Sequence, residues 1–432
     1  MKIHIVGAGP TGMSLAWEIL RSGQHEITIH DRKLSAGGSW WEPDLKTRDL
    51  HAHRIVFDRA FVNTKSLFEE MNIRWDDIFE PVQKDLYSFM FRSLQLRDYG
   101  ALTSLAVRVL SQPEKYKSVS LKDALGDLTP GGQAILEHLP LIIDGVPWNV
   151  MSAWEFVKSF DHVALSKQCT QKVSGKVMCD AMEECLINSG VNFVFGQELT
   201  KVIYLDNGYT AEFADGTILD EGMLFLCLDN SPALNFLGDN WGPDARKKVQ
   251  ESTYGCINIL LDFDETPKLG DDLEIAASTP WNLQPVVLVD GKTISCVICD
   301  LTEEILTTTP ELLKAEVLKQ LKLEQNPTNV RIGWGSTWNG ERWIFSQSSG
   351  VLSLHGQLPF FGKCPNVAMC GMMSQRHTPY SSIESAIEVS RSLSHSYFRT
   401  RAPLHPLLLT QVLMILLVVL IVLILMYRNR NE

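Results

Sequence analysis

Gly7, Gly9, Gly12 and Asp31 carry the first chemistry legible in this chain. The glycines stand in the run Gly7-Ala8-Gly9-Pro10-Thr11-Gly12, with Asp31 following at the spacing expected of a ribose-binding acid. That pattern suits a diphosphate. Gly7 permits a tight turn, Gly9 lets backbone approach phosphate oxygens, and Gly12 lets a helix pack closely on a strand. A helix opening at this point adds unpaired N–H groups and a partial positive charge. Together these residues predict an adenine-dinucleotide site.

The flanking elements must position them. Lys2-Ile3-His4-Ile5-Val6 has the β-branched content of a buried strand, and Met13 to Arg21 has helical periodicity up to a stop at Gly23. A second strand, Glu26-Ile27-Thr28-Ile29-His30, delivers Asp31. After Arg32 to Ala36 comes a glycine pair, Gly37-Gly38, then Ser39. On its own such a pair marks a turn. Following the fingerprint and its acid, it resembles the signature of the flavin-containing amine oxidase and phytoene desaturase superfamily. The resemblance implies FAD as the dinucleotide, held by Gly7, Ala8, Gly9, Gly12, Asp31, Arg32, Gly37, Gly38 and Ser39. Two positions depart from the pattern: Ser39 stands where an Arg usually follows, and Asp31 where a Glu is usual.

The distal third supplies an independent segment. Asn366 to Cys370 reads as a short buried strand, followed by Gly371, a loop containing Thr378-Pro379-Tyr380, and a helix over Ser381 to Ser390. Ser381 and Glu384 have capping-box spacing. In the superfamily the last FAD-binding segment has this order, with a helix whose N-terminus points at the flavin pyrimidine ring and stabilises negative charge there. The resemblance therefore places Gly371, Met372, Ser382 and Ile383 at the flavin end, with Met372 where the family has an acid.

Between these ends, Val173-Ser174-Gly175 leads into a helix through Leu186, Gly190 stops it, and Val191 to Phe195 forms a strand. Leu199 to Val202 follows where the superfamily has a strand against the adenine, which implicates Leu199. A hairpin over Tyr209 to Leu219 turns at Asp215-Gly216, and Met223 to Leu228 reads as a buried strand.

These readings predict an α/β protein: a Rossmann-like FAD-binding domain assembled from 1–60, 172–238 and 351–398, and an interleaved mixed α+β substrate domain from 61–171 and 239–350. The first insert is mostly helical by periodicity, with a loop at Thr129-Pro130-Gly131-Gly132. The second opens with strands (Gly255 to Phe263, Val286 to Val289, Thr293 to Cys299), then a helix over Pro310 to Leu321 and a Trp-rich stretch. Trp281, Trp334 and Trp338 are candidates for an aromatic wall beside the flavin, with core packing the plainer explanation. His51 and His53 fall where the resemblance has family members facing the flavin, although a surface-loop or core role is the plainer explanation. No catalytic residue is nominated. Flavin oxidoreductases draw on positioning and electrostatics more than on acid–base side chains.

A net charge of −12 argues against nucleic acid as partner, because phosphate backbones demand a basic face. The nine cysteines are scattered, and the one C-x-x-C, Cys296 and Cys299, lies inside a strand-like run, where buried thiols rather than a metal site are expected. No signal peptide is expected, because strand-like sequence begins at Lys2, and the sequon Asn326-Pro327-Thr328 is blocked by its proline. Leu407 to Met426 is uncharged and spans roughly 30 Å as a helix, the thickness of a bilayer core. It predicts a transmembrane helix after a linker at 399–406, resembling a tail anchor with the body in the cytosol. The lipid bilayer and a lipophilic small molecule are then the expected partners. Three functions fit: an FAD-dependent, desaturase-like oxidoreductase of a lipophilic or membrane-delivered substrate; a membrane-tethered amine oxidase of soluble amines; and a non-enzymatic, lipid-binding member of the fold.

Overall fold

A computed structural model describes residues 1–42, 55–82, 94–251, 253–267, 279–288, 290–333, 335–345, 349–350 and 357–431. His51, His53 and Trp334 lie outside the described residues.

Five parallel strands form the central sheet, in the order Val367–Met369, Met223–Leu226, Lys2–Val6, Glu26–Asp31, Asn192–Phe195. Both faces are covered, which is why these strands read as apolar runs. Ile3, Ile5, Ile27 and Ile29 pack against Met13, Ala16 and Ile19 of the helix Pro10–Leu20 and against Met178 and Met182 of the helix Gly175–Asn188. Val6, Leu224 and Leu226 point the other way, onto Tyr209, Ala211 and Phe213 of the antiparallel sheet Leu199–Leu205, Gly208–Phe213, Ile218–Leu219. Val6 stands opposite both Leu226 and His30, so the carboxyl ends of the central strands finish together. In open α/β sheets, ligands bind outside that edge.

The second insert contributes a four-stranded antiparallel sheet, Gln284–Val287, Thr293–Ile298, Ile257–Asp262 and Asn329–Ile332, packed against the helix Pro310–Leu321. The first insert is a helical lobe centred on Leu105, Val109, Leu136, Leu139 and Phe156. Two local expectations are corrected. Thr129 to Gly132 is not a loop but the first turn of the helix Pro130–Asp144, with the Thr129 hydroxyl accepting from Gly132 N at 3.0 Å and Pro130 in the first turn. The cap of the distal helix Ile383–Phe398 is Ser382 with Ser385, not Ser381 with Glu384. Glu384 is committed elsewhere: its carboxylate accepts from the backbone and side chains of Asn63 and Thr64 at 2.7–2.9 Å.

The helix Leu409–Asn431 ends the chain, and Leu409–Tyr427 is long and apolar enough to cross a membrane, with mean hydropathy 3.1 and side chains exposed. The segment leading into it is fastened to the body. Arg391, fully buried, donates to Glu18 at 2.8 Å, Asn63 at 3.1 Å and Glu70 at 3.2 Å. Arg401 joins the same two carboxylates, reaching Glu18 at 2.8 Å. Asn63 brackets Leu404, accepting from its N–H at 2.8 Å and donating to its carbonyl at 2.9 Å. Thr410, in the first turn of the apolar helix, donates to Asp161 through its N–H and its hydroxyl at 2.8 and 2.9 Å.

Candidate functional site

A cavity of about 400 Å³ lies across the carboxyl edge of the central sheet. Gly7, Gly9, Pro10, Thr11, Asp31, Arg32, Gly38, Ser39, Leu199, Gly371, Met372 and Ser382 all line it. Of the remaining sequence-derived residues, Ala8, Gly12, Gly37 and Ile383 do not line it; each is a chain neighbour of a residue that does.

The glycine requirement is physical. Gly7 adopts φ +109°, and a Cβ there would sit 2.2 Å from the Cys227 carbonyl oxygen. A Cβ on Gly12 would reach 1.9 Å from the Gly7 carbonyl oxygen. Gly37, at φ +119°, is closed off by the Cys179 sulfur, and Gly38, at φ +57°, lies against Gly9. Gly9 differs: a Cβ there would find its nearest protein neighbour 3.7 Å away, so the missing side chain leaves room on the cavity side. Gly9 also caps the helix Pro10–Leu20, and no side chain caps it in turn. The first-turn N–H groups are therefore left for a ligand.

Asp31 holds the loop as well as facing the cavity. Its Oδ2 accepts from Ala8 N at 2.7 Å and its Oδ1 from Lys33 N at 2.8 Å, leaving further lone pairs for hydroxyl donors. Beside Ser39, the Lys33 ammonium donates to the Gly38 carbonyl at 3.1 Å. Met372 places its sulfur 3.0 Å from a guanidinium nitrogen of buried Arg376, which also donates to the Met372 carbonyl at 2.9 Å.

The far part of the cavity is built by residues with no sequence motif. Leu141, Ile142, Ile143, Asp144 and Gly145 end the helix Pro130–Asp144; Ser159, Phe160 and Val163 come from the helix Ala153–Val163; Gln284 and Val297 come from the antiparallel sheet, and Cys256 and Cys299 flank its strands. Trp281 and Trp338 are absent from this wall. Both pack on the core of the antiparallel sheet, Trp338 edge-on to Trp343 at 5.7 Å, so the plainer explanation holds for them. Tyr380 takes the aromatic place, stacked on Phe61 at 6.3 Å, with its hydroxyl 2.9 Å from His162 Nδ1.

Burial pushes the His162 imidazole down to about 4, against the raising effect of Glu388 and Asp161. Between pH 6.5 and about 4 the unfolded chain binds a proton that the folded chain refuses. Stability from this group is therefore complete above pH 6.5 and falls by up to about 3 kcal/mol as pH drops to about 4. Acid unfolding of His162→Gln should be shallower than that of the parent over this window. Parallel curves would show that His162 does not drive it.

No family model and no curated protein matches the sequence. Solved structures share the fold. An oxidoreductase from Methanosarcina mazei is 15% identical with a TM-score of 0.63, covering 91% of this chain and all of its own. Putrescine oxidase, solved bound to putrescine, is 14% identical with a TM-score of 0.62, covering 92% of this chain and 99% of its own. A provisionally assigned protoporphyrinogen oxidase from Exiguobacterium is 12% identical with a TM-score of 0.56, covering 92% and 98%. The chain has the architecture of these oxidoreductases over nearly its whole length.

Proposed function

We propose that the protein is an FAD-dependent oxidoreductase acting on a lipophilic substrate taken from a membrane, with Leu409–Tyr427 as its anchor and the body on the cytosolic side. The observation that carries the substrate reading is the double use of one helix. Ala153–Val163 gives Ser159, Phe160 and Val163 to the cavity wall, and from the same helix Asp161 holds Thr410 at the start of the apolar span. A largely apolar cavity thus stands next to the point where the chain would enter a bilayer.

The residues present fit FAD. The uncapped helix at Gly9 and the Gly7–Gly12 turn suit its diphosphate, Asp31 its ribose, Leu199 the adenine end, and Gly371, Met372 and Ser382 the isoalloxazine end. FAD held there supplies hydride acceptance. The chain's own part is to orient and to exclude water: Tyr380, Phe57 and Phe160 form the walls, and the N-terminus of Ile383–Phe398 directs its positive end at the site.

The purified full chain should absorb at about 450 nm, the band of oxidised flavin, and a colourless preparation would sink the cofactor reading. A chain ending at Leu408 keeps the Arg401 and Leu404 contacts. It should leave membranes, stay folded and stay yellow. Ending at Thr400 strips Glu18 and Glu70 of Arg401 and Asn63 of Leu404, and should cost about 1–3 kcal/mol more in an unfolding assay. Equal stability of the two truncations would show that the stalk contacts are incidental. Persistence of the shorter chains in carbonate-washed membranes would rule out a single anchor.

A further inference from the structure

Among the described residues, two that line the far wall of the cavity each carry a buried polar atom without a partner. Asp144 is 5% exposed, and while its Oδ1 accepts from Ser381 N at 2.9 Å, its Oδ2 has none. Gln284 is 4% exposed, and its Nε2 has none. Folded proteins leave few such atoms unsatisfied, and a functional role is among the recognised reasons.

The two residues belong to one patch. Gly145, next to Asp144, lies against Cys299, whose sulfur would be 3.7 Å from a Cβ at that position. Leu141, one helical turn before Gly145, shares a packed cluster with Val297 and Cys299. Val297 stands in register with Gln284 on the neighbouring strand. Around them the wall is apolar: Leu141, Ile143, Phe160 and Val297.

We propose that Asp144 and Gln284 are the specificity pair of this cavity, and that together they hold the carbonyl oxygen of an otherwise apolar substrate, a ketone, ester or amide. The proposal rests on the cavity being the substrate site. Gln284 Nε2 can only donate. Asp144 donates as well when it keeps its proton, and its surroundings favour that state. Burial and the nearby Glu155 carboxylate push its carboxyl well above the ordinary range, against the opposing influence of Arg376 and of the Ser381 N–H and hydroxyl. Arg376 in turn is shared with Glu155 and Glu388, so its charge is not Asp144's alone. Two donors in an apolar wall match the two lone pairs of one carbonyl oxygen. An ammonium group, which only donates, would face Gln284 donor to donor.

The test is calorimetric titration of the full chain in nanodiscs with 2-heptanone and with heptylamine, corrected for empty nanodiscs, with flavin content read separately by absorbance. Wild type should bind 2-heptanone more tightly than heptylamine. Asp144→Leu and Gln284→Leu should each weaken the ketone about ten-fold or more, a loss expected when a buried hydrogen bond is removed. Asp144→Asn, which keeps a donor and the shape, should retain binding and should lose the decline with rising pH that ionisation of Asp144 imposes on wild type. Tighter binding of heptylamine, unchanged affinity in both leucine variants, or absence of ketone binding would overturn the proposal. Ketone binding that depends on Asp144 in a flavin-free protein would support it while sinking the cofactor reading. A flavin-loaded protein indifferent to 2-heptanone would do the reverse.

Discussion

Gly9→Val should give a folded protein that has lost its flavin. The fold tolerates the change because a Cβ at this position finds its nearest protein atom, Gly38 Cα, at an ordinary 3.7 Å, and the backbone here is extended. The valine instead projects towards the cavity, where the uncapped helix turn would meet a diphosphate. Occupancy by absorbance should fall at least ten-fold with little change in the unfolding midpoint. Gly12→Val is the contrast. Its side chain would collide with the Gly7 carbonyl, 1.9 Å from the new Cβ, so that variant should lose fold and flavin together. Full flavin occupancy in Gly9→Val would overturn the assignment of this loop.

Replacing the buried Arg391 guanidinium should cost a large share of the stability. Arg391→Met keeps the bulk of the side chain but strips Glu18, which is fully buried, of one of its two guanidinium partners. Breaking such a pair from one side costs about 3–5 kcal/mol, since the carboxylate stays buried without full compensation. Arg401 still reaches Glu18, which sets the expectation at the lower end of that range. Adding Glu18→Gln to Arg391→Met should recover part of the loss, because the uncompensated charge is then gone. Thermal unfolding of the two variants beside the parent reads this directly. An unchanged midpoint in Arg391→Met would mean that the network adds nothing to the fold.

The two ends of the site differ in how far the sequence discloses them. Gly7, Gly12 and Gly37 answer to local conditions, a positive φ or a contact that excludes any Cβ, and such conditions leave glycines at fixed spacing. Asp144, Gln284 and Tyr380 answer to tertiary conditions. Each sits in an ordinary helix end, strand or loop; Asp144 and Gln284 come together only where the helical lobe meets the antiparallel sheet, and Tyr380 gains its place only against Phe61 and His162. Trp281 and Trp338 misdirect for the same reason: aromatic content is legible, but the side of the sheet that it covers is not. One further signal is readable in the chain itself. Ile383, Ile387 and Arg391 recur at intervals of four, so an arginine falls on the helix's apolar face, and Ser14 and Glu18 stand four apart on the first helix. A charge on a buried stripe asks for an opposite charge on another.

The strand order of the central sheet bears on how the protein is made. Its outer strand, Val367–Met369, pairs with Met223–Leu226, which pairs in turn with the first strand of the chain. Neither the sheet nor the cavity floor at Gly371 can close until nearly all of the body has been synthesised. The apolar helix follows directly after. Contacts so distant along the chain form slowly, so completion of the carboxyl edge of the sheet and synthesis of the long apolar helix fall within the same interval of biosynthesis. During that interval the nascent protein would expose an unpaired strand edge and the apolar helix together.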